Sequence, residues 1–148
     1  MKFSEIRTEL LDQHANLRSL LASARDATAR WTRGTGTRSD ATESIVRLLD
    51  ALAAHNVREE ELLERALPQI DAWGAVRAEV LGEEHVGEHR ALYATLVAAL
   101  SVETPSELEG VVRGFGSRVL EHMAREESTF LGEDALRDDA TSIDAFSG

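Results

Sequence analysis

The sequence predicts an all-α protein: an antiparallel up-down-up-down four-helix bundle followed by an acidic C-terminal tail. Apolar residues recur at intervals of three and four through four long segments, and no strand alternation competes with them. Only two prolines and 5% aromatic residues occur, while Ala, Leu, Glu and Arg, which lose little side-chain freedom in a helix, are abundant. Each segment is bounded by helix start and stop residues, and the short connections between them set successive helices antiparallel. The bundle is expected over residues 1–132 and the tail over 133–148.

The first segment, from about Ser4 to Thr32, carries Leu10, Leu17, Leu21 and Ala24 on one stripe; Gly34 in "TRGTGTRSD" suits its stop because glycine adopts positive φ cheaply. The second, about Asp40 to Leu67, opens with Asp40 and Glu43 in capping-box spacing, turns Ile45, Leu48, Leu52, Leu62 and Ala66 inward, and ends before Pro68. The third runs from about Asp71 to Leu100. The fourth begins at "TPSE", where Thr104 can cap, Pro105 fits the first helical position and Glu107 can reach back, and it stops near Gly132. The remaining "GEDALRDDATSIDAFSG" has five acids against one Arg and too little apolar surface to offset its ordering entropy.

A chain of 148 residues corresponds to about one domain. It has no cysteine, no charged-then-apolar leader and no apolar run near the length of a membrane span, so a soluble cytoplasmic protein is expected. The net charge of -11 opposes nucleic acid and anionic lipid, whose binding depends on Lys and Arg replacing counterions.

The five histidines carry the functional signal. His14 lies on the stripe of Leu10 and Leu17, His55 between Leu52 and Leu62, His85 and His89 between Leu81 and Leu92, and His122 between Val119 and Phe130. All face the predicted core, in central or adjacent turns of their helices, so antiparallel packing brings them to similar depth. Glu59 follows His55 by four residues on the same face, where an unpaired buried carboxylate would cost several kcal/mol. Its neighbours Glu60 and Glu61 read as a solvated charge run. Glu126 and Glu127 follow His122 by four and five residues and flank the apolar stripe on opposite sides, so periodicity leaves the choice between them open.

Five imidazoles and two carboxylates exceed what one tetrahedral zinc accepts and suit two divalent ions bridged by carboxylates. Imidazole with carboxylate and no thiolate points to iron, ahead of manganese or zinc. The Glu-x-x-His pattern of ferritin-like di-iron bundles is absent. "HVGEH" also fits the His-x-x-Glu-His pattern of inverted zinc proteases, with Glu88 as general base, but that reading leaves His14, His55 and His122 without a purpose.

Taken together, "LLDQHANLRSLL", "HNVREEELLERALP", "HVGEHRALY" and "HMAREESTFL" resemble the hemerythrin-like (HHE cation-binding domain) family, in its bacterial branch, over residues 4 to 132. The resemblance implies a non-haem di-iron centre, oxo- or hydroxo-bridged. His85, His89 and His122 would bind one iron, His14 and His55 the other, with Glu59 and Glu127 bridging. Glu127 is the choice the family's spacing implies. The iron with fewer histidines would keep an open position for dioxygen, peroxide, nitric oxide or azide, lined by Leu17, Asn56, Val119 and Met123. A polar amide at Asn56 would admit water and hasten autoxidation. Two functions follow: reversible dioxygen binding for storage, delivery or sensing, or consumption of hydrogen peroxide or nitric oxide. Tyr93, one turn beyond His89, is expected to fill the core or to reach a ligand. The terminal "TSIDAFSG" faintly resembles the docking peptides that carry some hemerythrin-like proteins into encapsulin shells.

Overall fold

The computed structural model describes residues 1–66 and 74–132, with backbone alone over 74–81. Four helices account for nearly all of this: α1 (Phe3–Thr32), α2 (Arg38–Ala66), α3 (Gly74–Ala99) and α4 (Pro105–Ser128). The expected tail, the encapsulin-like peptide and the predicted boundaries at Leu67, Pro68 and Asp71 lie outside the described residues. Packing runs α1 on α2, α2 on α3, α3 on α4 and α4 back on α1, which closes the bundle into a ring around one interior.

The helix ends follow local chemistry. Past α1, Gly34 takes φ 76°, and the amides of Thr35 and Gly36 both return to the carbonyl of Arg30, so the left-handed glycine turns the chain while satisfying a free carbonyl. Helix α2 starts three residues earlier than the Asp40–Glu43 box predicts. Thr37 is its cap instead: the Asp40 amide donates to Thr37 Oγ1 at 3.1 Å, a hydroxyl three residues ahead of the amide it satisfies. Before α4, the Thr104 hydroxyl donates to the Glu107 carboxylate at 3.2 Å and leaves the backbone amides alone. The helix then ends at Ser128, short of Gly132, because Thr129 leaves the helical region at φ -115° and ψ -103°. The Leu131 amide returns to the Glu126 carbonyl, which folds Leu131 back into the core.

The interior is layered. Leu17, Leu21, Ile45, Leu48, Leu52, Leu92, Leu96 and Phe115 belong to one apolar cluster, and Phe3, Ile6, Leu10, Leu62, Leu63 and Leu131 to another. The two do not merge. Along α1 the gap between Leu10 and Leu17 holds His14, and along α2 the gap between Leu52 and Leu62 holds His55 and Glu59. Each buried Leu or Phe contributes about 1.5–3 kcal/mol, and such layers above and below hold a polar layer that on its own would oppose folding.

Candidate metal centre

Helical spacing builds the polar layer. His55 and Glu59 on α2, His85 and His89 on α3, and His122 and Glu126 on α4 are each four residues apart, so each pair shares one face. His14 completes the set from α1. All seven are buried or nearly so; His85, 12% exposed at its side chain, is the most open of the histidines. The rings form a chain of near neighbours, with centroids 5.0 Å apart for His14–His55, 4.3 Å for His85–His89, 5.2 Å for His85–His122 and 5.1 Å for His89–His122.

The two carboxylates sit between the rings. Glu59 Oε2 lies 3.3 Å from His14 Nε2 and 3.0 Å from His55 Nε2, while its Oε1 lies 2.8 Å from His85 Nε2 and 3.3 Å from His89 Nε2. Glu126 divides in a similar way, with Oε1 near His14 (3.3 Å) and His122 (3.1 Å) and Oε2 at 2.6 Å from His85. Two overlapping donor groups result, Glu59–His85–His89–His122–Glu126 and His14–His55–Glu59–Glu126, whose donor atoms lie within 4.8 Å of one another in each group. Glu59 and Glu126 belong to both.

This donor set fits metal ions. Nε2 of His89 and of His122 and Oε1 of Glu59 and of Glu126 are buried and make no hydrogen bond despite their close neighbours. A buried polar atom without a partner costs about 1–3 kcal/mol, and a cation among these atoms would satisfy all of them together. Donors near 2 Å from one ion lie roughly 3–4 Å from each other, close to the spacing here.

Without metal, protons do the neutralising. Burial works against charge on His14, yet hydrogen bonds to Glu126, Glu59 and Glu127 override it and raise the imidazole from 6.5 to about 10. Burial likewise opposes a charged His85, and Glu126 and Glu59 raise it to about 10. His122 is raised as well, chiefly by Glu126 against its own burial. Burial would push Glu59 up, but hydrogen bonds with Glu126, His14, His55 and His85 hold it well below the usual carboxylate range. Glu126 is lowered too: burial and Glu59 oppose its ionisation, and His122, His14 and His85 prevail. The metal-free cavity is therefore a set of ion pairs whose protons an incoming cation must displace.

The expected residues fall into two groups. His14, His55, Glu59, His85, His89 and His122 converge; Glu127 does not reach the centre. It lies outside His14, where one carboxylate oxygen meets Nδ1 at 2.7 Å and Arg18 holds both oxygens at 2.8 and 2.9 Å. The inward position is taken by Glu126, because a helical step of about 100° separates the two residues and the roll of α4 turns Glu126 toward the rings. Leu17, Val119 and Met123 are buried in the larger apolar cluster. Asn56 is buried beside His55 with its Oδ1 unpartnered. None of these four lines the cavity of about 150 Å³ between α3 and α4, whose walls include His85, His122, Glu126, Glu88, Arg125 and Phe130. Tyr93 neither fills the core nor reaches the site; it is 42% exposed.

Three residues read as surface, or not singled out, touch the histidines from outside, and Glu127 makes a fourth such contact. Gln13 meets His55 Nδ1 at 2.7 Å, Glu60 meets His89 Nδ1 at 2.8 Å, and Glu88 meets His122 Nδ1 at 2.9 Å, as Glu127 meets His14. Glu60 is thus more than part of a solvated run, and Glu88 is tied to His122 and Arg125. A signal was present: each of the four is the chain neighbour of an inner donor. Among the described residues no helix is long and apolar enough to cross a membrane.

Comparisons with curated proteins and with solved structures gave no match. The family profile described as hemerythrin HHE cation binding domain matches residues 5–133, which span all four helices and every donor named above. A four-helix bundle with a buried histidine and carboxylate cluster compatible with metal binding agrees with that match, and the chain belongs to the hemerythrin HHE cation-binding domain family.

Proposed function

We propose that the protein is a non-haem di-iron protein that binds dioxygen, or a related small diatomic or peroxide ligand, reversibly for storage, delivery or sensing. The observation that carries this reading is the division of Glu59: one oxygen faces His14 and His55, the other His85 and His89. A single carboxylate serving two histidine sets is the arrangement a metal pair needs, and seven donors exceed the requirement of one ion. His14 and His55 would hold one ion and His85, His89 and His122 the other, with Glu59 and Glu126 as the carboxylates within reach of both. Glu126 replaces Glu127 in this assignment because it is the acid within reach of three imidazoles. Bound by these residues, a ferrous pair would provide the two electrons that reversible dioxygen binding requires.

The chain's own contribution is to hold donors and control water. The position held by two histidines would keep an open site, and Leu17, Val119 and Met123, buried in the larger apolar cluster, are the apolar residues expected near it. Asn56 departs from that apolar character. Its buried Oδ1 lacks a partner and can accept a hydrogen bond from a protonated ligand or water, which would stabilise the protonated ligand and favour loss of the reduced state. That observation supports a second reading, a di-iron enzyme consuming hydrogen peroxide or nitric oxide. The zinc-protease reading is set aside: Glu88, its required base, is engaged by His122 and Arg125.

The test combines metal analysis, the ultraviolet and visible spectrum of the oxidised and azide-treated protein, and oxygen uptake followed by argon purging. The proposal expects two irons per chain, oxo-bridged ferric absorption, and recovery of the ferrous spectrum on purging. One zinc and no iron overturns it, and peroxide turnover well above that of free iron without reversible uptake favours the enzyme.

A further inference from the structure

The contacts behind the histidines form a closed cycle. Gln13 on α1 reaches His55 on α2, Glu60 on α2 reaches His89 on α3, Glu88 on α3 reaches His122 on α4, and Glu127 on α4 reaches His14 on α1. Each helix sends one acceptor to a histidine of the next, always at Nδ1 and always at 2.7 to 2.9 Å. The contacts fix Nδ1 as the protonated nitrogen and leave Nε2 free for the centre. Three members of the cycle are carboxylates and one is a neutral amide.

Resting on the di-iron reading above, we propose that Glu60, Glu88 and Glu127 are outer positioning residues that set the reduction potential of the metal pair, with Gln13 as the one uncharged member. A carboxylate accepting the Nδ1–H pulls that proton outward and makes Nε2 a stronger donor, which stabilises the more highly charged, ferric state and lowers the potential. The three are not equivalent. Arg18 holds Glu127 and Arg125 holds Glu88, and each guanidinium offsets part of the negative charge. No described residue pairs Glu60 with a Lys or Arg, so Glu60 exerts the largest influence. The side chain of His89 is 3% exposed and that of Glu60 33%, so solvent reaches this contact from the carboxylate side and not from the imidazole.

The experiment uses the full iron-loaded chain and four variants, E60Q, E88Q, E127Q and Q13E, with iron content and spectroelectrochemical potential measured for each. Glutamine keeps an acceptor oxygen for Nδ1–H, so a role limited to holding the ring leaves the potential in place. The proposal expects iron content equal to that of the unaltered protein, an upward shift for the three Glu→Gln variants, largest in E60Q, and a downward shift in Q13E. Opposite signs for E60Q and Q13E are the signature that packing alone does not produce. Potentials that stay put, or move the same way in E60Q and Q13E, overturn the proposal while leaving the iron reading intact. Absence of iron from the unaltered protein overturns that reading, and this proposal with it.

Discussion

Glu59→Ala removes a side chain that contacts four imidazoles. The carboxylate is fully buried, within 2.8–3.3 Å of the Nε2 atoms of His14, His55, His85 and His89. In the metal-free protein at pH 7, Glu59 and Glu126 are ionised, and His14 and His85, each raised to about 10, are protonated. Removing Glu59 leaves His85 facing Glu126, and His14 facing Glu126 with Glu127 behind it. Deleting one partner of a buried ion pair costs about 3–5 kcal/mol. In a chain of this size 1 kcal/mol corresponds to about 3 °C, so the melting temperature should fall by roughly 10–15 °C. Glu59→Gln separates charge from volume: the amide fills the same space, and most of the loss should persist. The assay is thermal unfolding followed by circular dichroism in chelator, paired with iron per chain after reconstitution, where both variants should fall below two. A metal-free melting temperature within about 3 °C of the parent, together with a full iron load, would refute this reasoning.

Glu126→Ala should also lose iron, whereas Glu127→Ala should keep its capacity and mainly loosen the ring of His14; metal analysis of the two side by side checks the exchange of roles. The metal-free protein should be most stable in mildly acidic solution. The raised His14 and His85 contribute fully below their unfolded value of 6.5 and lose that contribution as pH rises toward about 10, while the lowered Glu59 contributes above its ordinary 4.5 and loses it as pH falls. A melting temperature that climbs steadily from pH 6 to pH 10 in chelator would contradict that sign. Phe115→Ala, in the larger apolar cluster and 1% exposed, should cost about 3–5 kcal/mol in denaturant unfolding yet leave iron per chain unchanged, since the aromatic ring supports the bundle without touching the donors.

Much of this architecture was legible in residue spacing. Leu10, Leu17, Leu21 and Ala24 mark the buried face of α1, and His14 falls on it, so the stripe that defines the helix also aims the donor. The same holds for His55 and Glu59. The choice between Glu126 and Glu127 was not legible, because they straddle the stripe and the roll of α4 depends on packing against α1 and α3. The outer contacts were hidden for a related reason. Glu60 and Glu88 lie one residue off the inward face, a position that looks solvated in one helix and becomes an imidazole contact only when the neighbouring helix is beside it. Helix ends turned on single hydrogen bonds: Thr37 caps α2 where the acid pattern pointed to Asp40, and Thr129 ends α4 before Gly132 is reached.

The central claim is that two ions share Glu59 and Glu126. Anomalous diffraction at the iron edge from crystals of the reconstituted protein tests it most directly. The account predicts two peaks roughly 3–4 Å apart, one against Nε2 of His14 and His55, the other against Nε2 of His85, His89 and His122, with a carboxylate oxygen of Glu59 on each. A single peak, or a pair bridged by Glu127 with Glu126 turned away, would contradict it.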